Sequence, residues 1–260
     1  MKLLSLYVEK KSFIHELSPI TKLLYAVTSV TITLLFPSLT VGIVFLTISI
    51  FLSIISKVTK HMLKLISIVL LLSISIVIIQ GIFYTNNEVI LFKLGKFSVY
   101  REGLLHSFVI VLRLFNMIVS FGVLILTTRP SDLVDHLVQK GLSPRFGYVL
   151  SSVLQIIPQM LSTASTILDA QRSRGLETEG NILKKLRAFF ALIGPLVLSS
   201  LMEARERAMA IEMRGFNVEN WKNRTSLKEI KETLVDKILT QFFTFLIFFS
   251  LLWRILLWII

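Results

Sequence analysis

The chain has 260 residues, of which 54% are hydrophobic, and its mean hydropathy is +0.76. Soluble domains use about 45–50% apolar residues, so this composition excludes an ordinary soluble domain and indicates a polytopic membrane protein. The net charge of +12 lies on basic residues interleaved with apolar runs, which favours a positive-inside topology over nucleic-acid binding, and the lack of cysteine excludes disulfides and thiolate metal sites.

Four apolar spans are predicted in the first half of the chain. The run from Leu23 to Ser56 is uncharged. It would make a helix of about 50 Å, more than a hydrocarbon core of about 30 Å requires. Because Pro37 interrupts this run, we predict two short spans there. The four spans, which form a predicted N-terminal transmembrane domain of residues 1–126, lie at about 20–36, 39–56, 65–87 and 104–126.

A polar excursion, residues 84–103, separates the third and fourth spans. Within it, Val89 to Tyr100 predicts a small β-hairpin that turns near Gly95. The fourth span carries one charge, Arg113, which we expect to snorkel, to pair across helices or to face a protein partner. The N-terminal segment and the loop between the second and third spans are more basic than the 84–103 loop, which predicts a cytoplasmic N-terminus and an external 84–103 loop. Their lysines are Lys2, Lys10, Lys11, Lys22, Lys57, Lys60 and Lys64.

Residues 127–236 form a second predicted domain of long amphipathic helices, at about 131–140, 143–174 and 182–214. The stretch Phe146 to Leu168 is uncharged and long enough to span, but its apolar residues are spaced 4-3-4-3-4. One apolar stripe indicates a helix that lies along the membrane surface. The stripe of this helix comprises Leu150, Leu154, Ile157, Leu161, Ala164 and Leu168. That of the next helix comprises Leu183, Leu186, Phe190, Ile193, Val197, Leu201, Ala204, Ala208 and Ile211.

The two long helices are predicted to lie against each other through these stripes at the cytoplasmic surface. Each is interrupted once by proline, at Pro158 and Pro195. A fifth span, about 238–260, forms the third predicted domain, residues 237–260, and places the C-terminus outside.

The end of each long helix carries the same pattern, A-x-x-x-R-G-apolar, beginning at Ala170 and at Ala210. Glycine after the last helical residue takes the left-handed conformation that ends a helix, and the apolar residue that follows suits the contact that closes such a cap. The arginine then lies at the negative end of the helix dipole, and its guanidinium can project past the helix end. One such site is an ordinary helix cap, whereas the repeat predicts two copies of one docking device.

The residues expected of several enzyme and transporter classes are missing from the sequence. It has no G-x-x-x-x-G-K-[ST], and therefore no P-loop for ATP. No Asp or Glu lies within the five predicted spans, where ion-coupled transporters usually keep such groups. We therefore expect no catalytic residue, no metal site and no cofactor bound by this chain. The scattered histidines, which we interpret as loop or interface residues, are His15, His61, His106 and His136.

Three stretches carry a family likeness over nearly the whole chain. They are the opening His15 to Leu23 (H-E-L-S-P-I-T-K-L), the segment Thr127 to Leu133 with Gly141 to Pro144, and the paired motifs Ser173-Arg174-Gly175 and Met213-Arg214-Gly215. Together they resemble the transmembrane coupling subunit (T component) of energy-coupling factor (ECF) transporters, the family that includes the cobalt-transport permease CbiQ. The family's paired motif is usually Ala-Arg-Gly, and neither copy here keeps the alanine.

This resemblance implies an all-α, multi-pass protein of a prokaryotic plasma membrane that transmits force and performs no chemistry. Two cytoplasmic ATPase subunits would bind ATP and receive the motif arginines. A separate membrane-embedded S component would capture a vitamin or a transition-metal ion, such as cobalt or nickel. Packing against the S component or between the helices is expected at Leu150, Leu154, Ile157, Pro158, Leu161 and Pro195.

Two other classes of function stay open at this point. A stand-alone permease or channel would need a polar central pathway with charged residues in the spans, and these are missing. A membrane enzyme would need convergent catalytic groups in the second domain, where Asp132, Asp135 and His136 are the nearest approach to a cluster. The transported substrate is not encoded in this chain, because in this family the S component selects it.

Overall fold

The computed structural model describes residues 7–10, 12–84, 89–94, 97–177, 180–215 and 232–259. These residues are almost entirely helical and fall into two compact units. The bundle unit comprises Ser5–His136 and Ile230–Ile260, and the described residues of the two-helix unit lie within Leu137–Glu229. The helices are α1 (Phe13–Glu16), α2 (Pro19–Leu35), α3 (Leu39–Ile55), α4 (Thr59–Phe83), α5 (Arg101–Thr127), α6 (Pro130–Gln139), α7 (Pro144–Ser173), α8 (Ile182–Met213) and α9 (Leu234–Ile259).

The predicted spans are confirmed as helices, with small shifts at their ends. The break at Pro37 separates α2 from α3, and each of these helices has 17 residues. At 1.5 Å per residue, each is about 25 Å long. α4 begins at Thr59 rather than near Leu65, so that its first turns carry Lys60 and Lys64.

Four of the helices in the described residues are long and apolar enough to cross a membrane: Thr59–Phe83, Arg101–Thr127, Ile182–Met213 and Leu234–Leu257. α2 and α3 are apolar but shorter. α7 is not in this set, in agreement with the prediction of an amphipathic helix. α8 is in it, which the sequence analysis did not predict. The chain is therefore an all-α, polytopic membrane protein.

The predicted hairpin is present in the loop before α5. Strands β1 (Ile90–Leu94) and β2 (Phe97–Tyr100) pair antiparallel, with an irregularity between Ile90 and Phe92. The predicted turn residue, Gly95, lies outside the described residues.

α5 is the central helix of the bundle unit, since it packs against α2, α3 and α4. Two glycines allow α4 and α5 to approach closely. A methyl group on Gly103 would collide with the carbonyl oxygen of Gln80, and one on Gly122 would lie 2.8 Å from the sulfur of Met62. The core at the end of α5 consists of Ile14, Val58, Met62, Val119, Val123 and Leu126.

The two-helix unit has few buried residues. In α7 and α8 only Gly147 and Ala188 are buried. Gln159 of α7 bonds two residues of α8. Its amide nitrogen donates to Glu203 over 2.9 Å, and its carbonyl oxygen accepts from Arg207 over 2.8 Å. A polar bridge therefore joins the two helices.

The prediction that the apolar stripes of α7 and α8 pack on each other is wrong. In α7, Leu154, Ile157 and Leu161 are 38%, 45% and 55% exposed. In α8 the exposed stripe residues include Leu183, Leu186, Phe190, Val197 and Leu201. Glu203 and Arg207, which bond Gln159, lie on a different face of α8. The spacing located a stripe on each helix but could not show which face meets the partner helix.

Candidate functional site

The end of α7 has the predicted glycine cap. Gly175 has a φ of +88°, and Arg174 is the residue at which the helix ends. The amide of Gly175 donates to the carbonyl of Arg172 over 2.9 Å, and that of Leu176 donates to the carbonyl of Gln171 over 3.0 Å. These two bonds define a Schellman motif, which satisfies carbonyls that the end of a helix otherwise leaves unpaired.

α8 ends in the same way. Gly215 has a φ of +68°, and its amide donates to the carbonyl of Glu212 over 2.9 Å. Arg214 occupies the position that Arg174 has in α7. The apolar residue after this glycine, Phe216, lies outside the described residues. The sequence repeat therefore corresponds to a repeated local geometry, in which a helix end holds an arginine beside a left-handed glycine.

Both arginines are exposed, as are the residues before them. Met213 is 88% exposed, although it is large and apolar. Around Arg174 the surface forms a depression of about 620 Å³, lined by Gln171, Arg174, Gly175, Leu176, Glu177, Lys184 and Arg187. Glu177 is paired with Lys184. The remaining charged residues of the depression, Arg174 and Arg187, therefore give it a net positive charge. Such a surface suits an acidic partner.

The residues predicted for S-component or helix packing lie along α7 and in α8. Leu154, Ile157 and Leu161 face outward, Leu150 and Pro158 are half-buried, and Pro195 is exposed. Pro158 lies inside α7 and Pro195 inside α8, as the sequence indicated. The arrangement leaves an apolar surface on α7 that the described residues do not cover.

A polar cluster that was not predicted from the sequence lies at one end of the bundle unit, near the ends of α2, α5 and α9. We call it the helix-end cluster, and its members are Ser18, Thr21, Lys22, Thr127, His136, Glu232 and Asp236. Ser18, Thr21, Lys22, His136 and Asp236 are each no more than 6% exposed. A polar group at this depth is tolerated only when it is hydrogen-bonded, and these groups are bonded to one another.

Asp236 caps two helices with one carboxylate. Its Oδ2 accepts from the amide of Thr233 over 3.1 Å, immediately before α9. Its Oδ1 accepts from the amide of Ser18 over 2.9 Å and from the hydroxyl of Thr21 over 3.2 Å, at the start of α2. The pattern Thr233-x-x-Asp236 is a capping-box signal that the sequence analysis could have recognised. The second helix that Asp236 caps is 218 residues away in sequence.

Lys22 binds the carboxyl end of a helix, whereas Asp236 binds amino ends. Its Nζ donates to the carbonyl of Thr127, the last residue of α5, over 3.2 Å, and to that of His15 over 3.3 Å. A lysine at the carboxyl end of a helix satisfies unpaired carbonyls and complements the dipole. The amide of Val8 donates to the neighbouring carbonyl of Leu126 over 3.0 Å.

His136 is 1% exposed and has a partner at each ring nitrogen. Its Nδ1 lies 3.3 Å from the hydroxyl of Ser18, and its Nε2 lies 3.0 Å from a carboxylate oxygen of Glu232. His136 is the last residue of the bundle unit before the chain leaves it, and Glu232 is the first described residue after the chain returns. This contact therefore holds together the two passages of the chain. The ring of His136 is in turn held beside Ser18 at the start of α2.

The N-terminal segment folds over this end of the bundle. His15 bonds the hydroxyl of Ser12 through Nδ1 over 2.7 Å and the carbonyl of Val8 through Nε2 over 3.0 Å. Its partial burial, reinforced by the charges of Lys22 and Lys10, lowers the pKa of His15 below its ordinary value of 6.5, against the opposing effect of the Val8 bond. Arg129 pairs with Glu9 over 2.6 Å. The stretches 15–23 and 127–133, which carry the family likeness, thus both contribute to this end.

A second buried network crosses the bundle beside Arg113. Asn116 is 0% exposed and accepts from the hydroxyls of Ser29, over 3.0 Å, and Ser49, over 3.1 Å. Its amide nitrogen donates to the hydroxyl of Thr33 over 3.3 Å. Arg113, one turn earlier on α5, is half-buried, and its Nε has no hydrogen-bond partner in the described part of the chain.

Comparisons with known proteins agree with the likeness carried by these residues. The family model CbiQ, described as cobalt transport protein, matches residues 10–227. The energy-coupling factor transporter transmembrane protein EcfT of Lactococcus lactis subsp. cremoris is 28% identical and covers 96% of this chain and 97% of its own length. The protein of the same name from Clostridium kluyveri is 31% identical, over 96% of this chain and 95% of its own length.

The family model spans the helix-end residues of α2, the central helix α5 and both glycine-capped arginines. The resemblance therefore extends over both units and is not confined to a short motif. The chain belongs to the CbiQ family.

Proposed function

We propose that this chain is the transmembrane energy-coupling subunit of an ECF-type ABC importer. It links ATP hydrolysis by two cytoplasmic ATPase subunits to the uptake of a vitamin or transition-metal ion held by a separate S component. The chain itself is non-catalytic and binds no cofactor, since ATP is bound by its partners. Membership of the CbiQ family and the relatives named EcfT support this proposal.

The observation that carries it is the matched pair of helix ends. Arg174 and Arg214 each occupy the last position before a left-handed glycine, on the two long helices of one unit. Two equivalent presented arginines suit two similar ATPase subunits. A planar guanidinium makes bidentate bonds to a carboxylate, which fixes the orientation of a contact as well as its strength.

Force transmission places a second demand on the molecule, because a movement of α7 and α8 must reach the bundle unit. The chain leaves the bundle unit after His136 and has returned to it by Glu232, and these two residues are bonded to each other. We propose that this bond, within the helix-end cluster, fixes both connecting segments to the bundle unit. In this proposal the helix-end cluster is what lets the bundle unit respond to the arginines.

The proposed topology places the N-terminus and the two-helix unit on the cytoplasmic side. α8 is long enough to cross a membrane, but its uncharged stretch, residues 188–202, is only 15 residues. That corresponds to about 22 Å, which is short of a hydrocarbon core of about 30 Å. Cysteines placed at Ser173 and Met213 of this cysteine-free chain should both be protected from an impermeant thiol reagent outside intact cells. Labelling of either from outside would rule out this topology.

The apolar surface of α7 is the proposed contact for the S component. Leu154, Ile157 and Leu161 are exposed within the chain, and an exposed apolar row of this kind marks an interaction site. Half-buried Leu150 and Pro158 border it. The α8 proline, Pro195, is exposed on the neighbouring helix and completes the predicted set.

The test of the proposal is co-purification of the ATPase pair with arginine variants, alongside ATP-dependent uptake. A charge-assisted hydrogen bond contributes about 1.5–3 kcal/mol, so Arg174→Ala or Arg214→Ala should weaken docking about tenfold or more. The double variant should lose docking almost entirely, because two linked contacts act by avidity. Arg172→Ala is the matched control, since Arg172 is exposed in the same helix turn but pairs with Asp169.

Retention of both ATPases and of uptake by the double alanine variant would show that the motifs are only helix caps. Uptake by the chain without any ATPase would instead favour a stand-alone permease, the alternative function.

A further inference from the structure

A crevice of about 460 Å³ opens in the bundle unit between α3 and α9. Both helices pack against α2, which forms the back of the crevice. On α3 it is lined by Ile48, which is 41% exposed, and on α9 by Phe242, which is 53% exposed. Because these side chains are partly exposed, the crevice is open on the outer surface of the bundle unit.

The position of the crevice along the helices places it in one leaflet. Its walls come mainly from the first half of α2, the middle and second half of α3 and the first half of α9, toward the end of the bundle unit that holds the helix-end cluster. From the start of α9 at Leu234 to its last lining residue, Leu246, the helix rises about 18 Å. That distance matches about half of a hydrocarbon core of about 30 Å.

The wall of the crevice is wholly apolar at its exposed surface, although three polar residues line it. Thr21 donates to Asp236, and Lys22 donates to two backbone carbonyls. The hydroxyl of Tyr25 bonds that of Ser49 over 2.7 Å. Apolar cavities of about 150 Å³ in proteins stay dry and take up hydrocarbon. A crevice this much larger, at this depth in a membrane, therefore suits a hydrocarbon chain.

Positive charge lies at the end of the bundle toward which the crevice runs. Leu52 of α3 is a lining residue, and Lys57 follows one turn later, where the helix ends. The Nζ of Lys10 donates to the backbone carbonyl of Lys57 over 2.7 Å, and both lysines are exposed. Lys60 and Lys64 add further charge to the same end. Anionic headgroups are attracted to such a basic rim at a membrane surface.

We propose that this crevice is a binding site for one anionic phospholipid. An acyl chain lies against Ile48, Phe242 and Leu246, and the phosphate lies beside Lys10 and Lys57. The crevice contains neither Arg174 nor Arg214, so lipid binding there does not depend on coupling to ATPases.

The first test fills the crevice with a larger side chain. Purified protein in detergent is titrated with phosphatidylglycerol, or with phosphatidylcholine of the same acyl chains, and bound lipids are counted by native mass spectrometry. Wild-type protein should retain one phosphatidylglycerol at least tenfold more tightly than phosphatidylcholine. Ile48→Trp should lose this retention by at least tenfold. Ile50→Trp should not, because Ile50 is also 41% exposed on α3 but does not line the crevice.

Equal retention of the two lipids by wild-type protein, or equal retention of phosphatidylglycerol by the two tryptophan variants, would overturn the proposal. Lys10→Gln with Lys57→Gln should reduce the preference for phosphatidylglycerol severalfold, whereas Lys185→Gln, an exposed lysine of α8, should leave it unchanged. A double glutamine variant with the wild-type preference would also contradict the proposed headgroup contact.

A second measurement needs no substitution. Phosphatidylglycerol with a photoactivatable acyl chain is reconstituted with the protein, and the cross-linked residues are mapped. Cross-links should fall on Ile48 and Phe242 rather than on Ile50 and Phe245, which are exposed on the same helices outside the crevice. Labelling spread evenly over these four residues would indicate unspecific contact with bulk lipid. In a separate experiment on the assembled complex, a photoreactive amino acid placed at Ile48 that cross-links to a partner protein would assign the crevice to that protein instead. Either result would overturn the lipid site.

Discussion

The two units of this chain differ in where they place their polar side chains. The bundle unit buries charged and polar side chains and pairs them internally, as Asp236 and Asn116 illustrate. The two-helix unit buries almost nothing, exposes a row of large apolar residues and presents Arg174 and Arg214 at its helix ends. The bundle unit thus pairs many of its polar side chains internally, whereas the two-helix unit leaves both motif arginines exposed.

This difference determines what a substitution in each unit should affect. A change in the bundle unit should lower its own stability, because the altered group has internal partners. A change in the two-helix unit should leave the chain folded and alter what it binds. The same chemical change made in both units therefore tests the comparison directly.

The largest effect is expected from an aspartate placed in an apolar position of each unit. Val119 is 1% exposed in α5, and Val119→Asp would bury an unpaired carboxylate at a cost of several kcal/mol. Leu161 is 55% exposed in α7, so Leu161→Asp should change the free energy of unfolding by no more than about 0.5 kcal/mol. Yield of folded protein after purification checks the first expectation, and thermal unfolding in detergent checks the second.

Leu161→Asp should nevertheless abolish co-purification of the S component and uptake. Wild-type assembly and uptake in this variant would show that the apolar row of α7 is not a contact surface, and would remove the distinction between the units.

A smaller but still large effect is expected at Asp236. In Asp236→Asn, one carboxylate oxygen is replaced by an NH₂ group, which cannot accept a hydrogen bond from the amides and hydroxyl that surround it. The free energy of unfolding should fall by about 3 kcal/mol. Asp169→Asn is the matched control in the two-helix unit, where Asp169 is 72% exposed and pairs with Arg172 over 3.4 Å. An exposed pair of this kind contributes about 0–1 kcal/mol. Thermal unfolding of both variants in the same detergent compares them, and equal midpoints would contradict a structural role for the helix-end cluster.

A modest effect is expected at the glycine that ends α7. Gly175→Ala should destabilise this helix end by about 1–2 kcal/mol, because its φ of +88° is unfavourable for a residue with a Cβ. Hydrogen exchange at the end of α7 measures this change, and ATPase docking should fall with it. Unchanged exchange at this helix end would contradict the expectation.

The smallest effect is expected from pH. The pKa of His15 is lowered in the folded state, chiefly by burial, so its neutral form is the one that the fold accommodates. The stability it contributes is present above its unfolded pKa of 6.5 and is lost as the pH falls through the lower folded value. Melting temperature measured between pH 7.5 and pH 5 should fall less in His15→Asn than in the wild type. Identical pH profiles would contradict this assignment.

Much of the fold followed from local patterns. Charge-free runs located the spans, Pro37 located the break between α2 and α3, and alternation located the hairpin. The glycines of the repeat located both helix ends, with the left-handed conformation that the sequence indicated. These features could be predicted because each depends on neighbours within a few residues of chain.

The helix-end cluster could not be predicted in this way. Asp236 has an evident local role at α9, but its bond to Ser18 joins residues 218 positions apart. The contact between His136 and Glu232 is likewise long-range, and from the sequence His136 was interpreted only as a loop or interface residue. The faces of α7 and α8 were also misjudged, since an apolar stripe has the same spacing whether it meets a helix of the same chain or a partner.

The sequence by itself therefore determined the membrane class, the order of the helices and the two arginine caps, because hydrophobic length, proline and glycine act locally. Only the tertiary structure decided which helix ends share a carboxylate, which apolar rows stay uncovered and where a lipid-sized crevice opens. Those properties arise from the packing of distant segments, and the energy of a buried polar group depends on the partners that packing supplies.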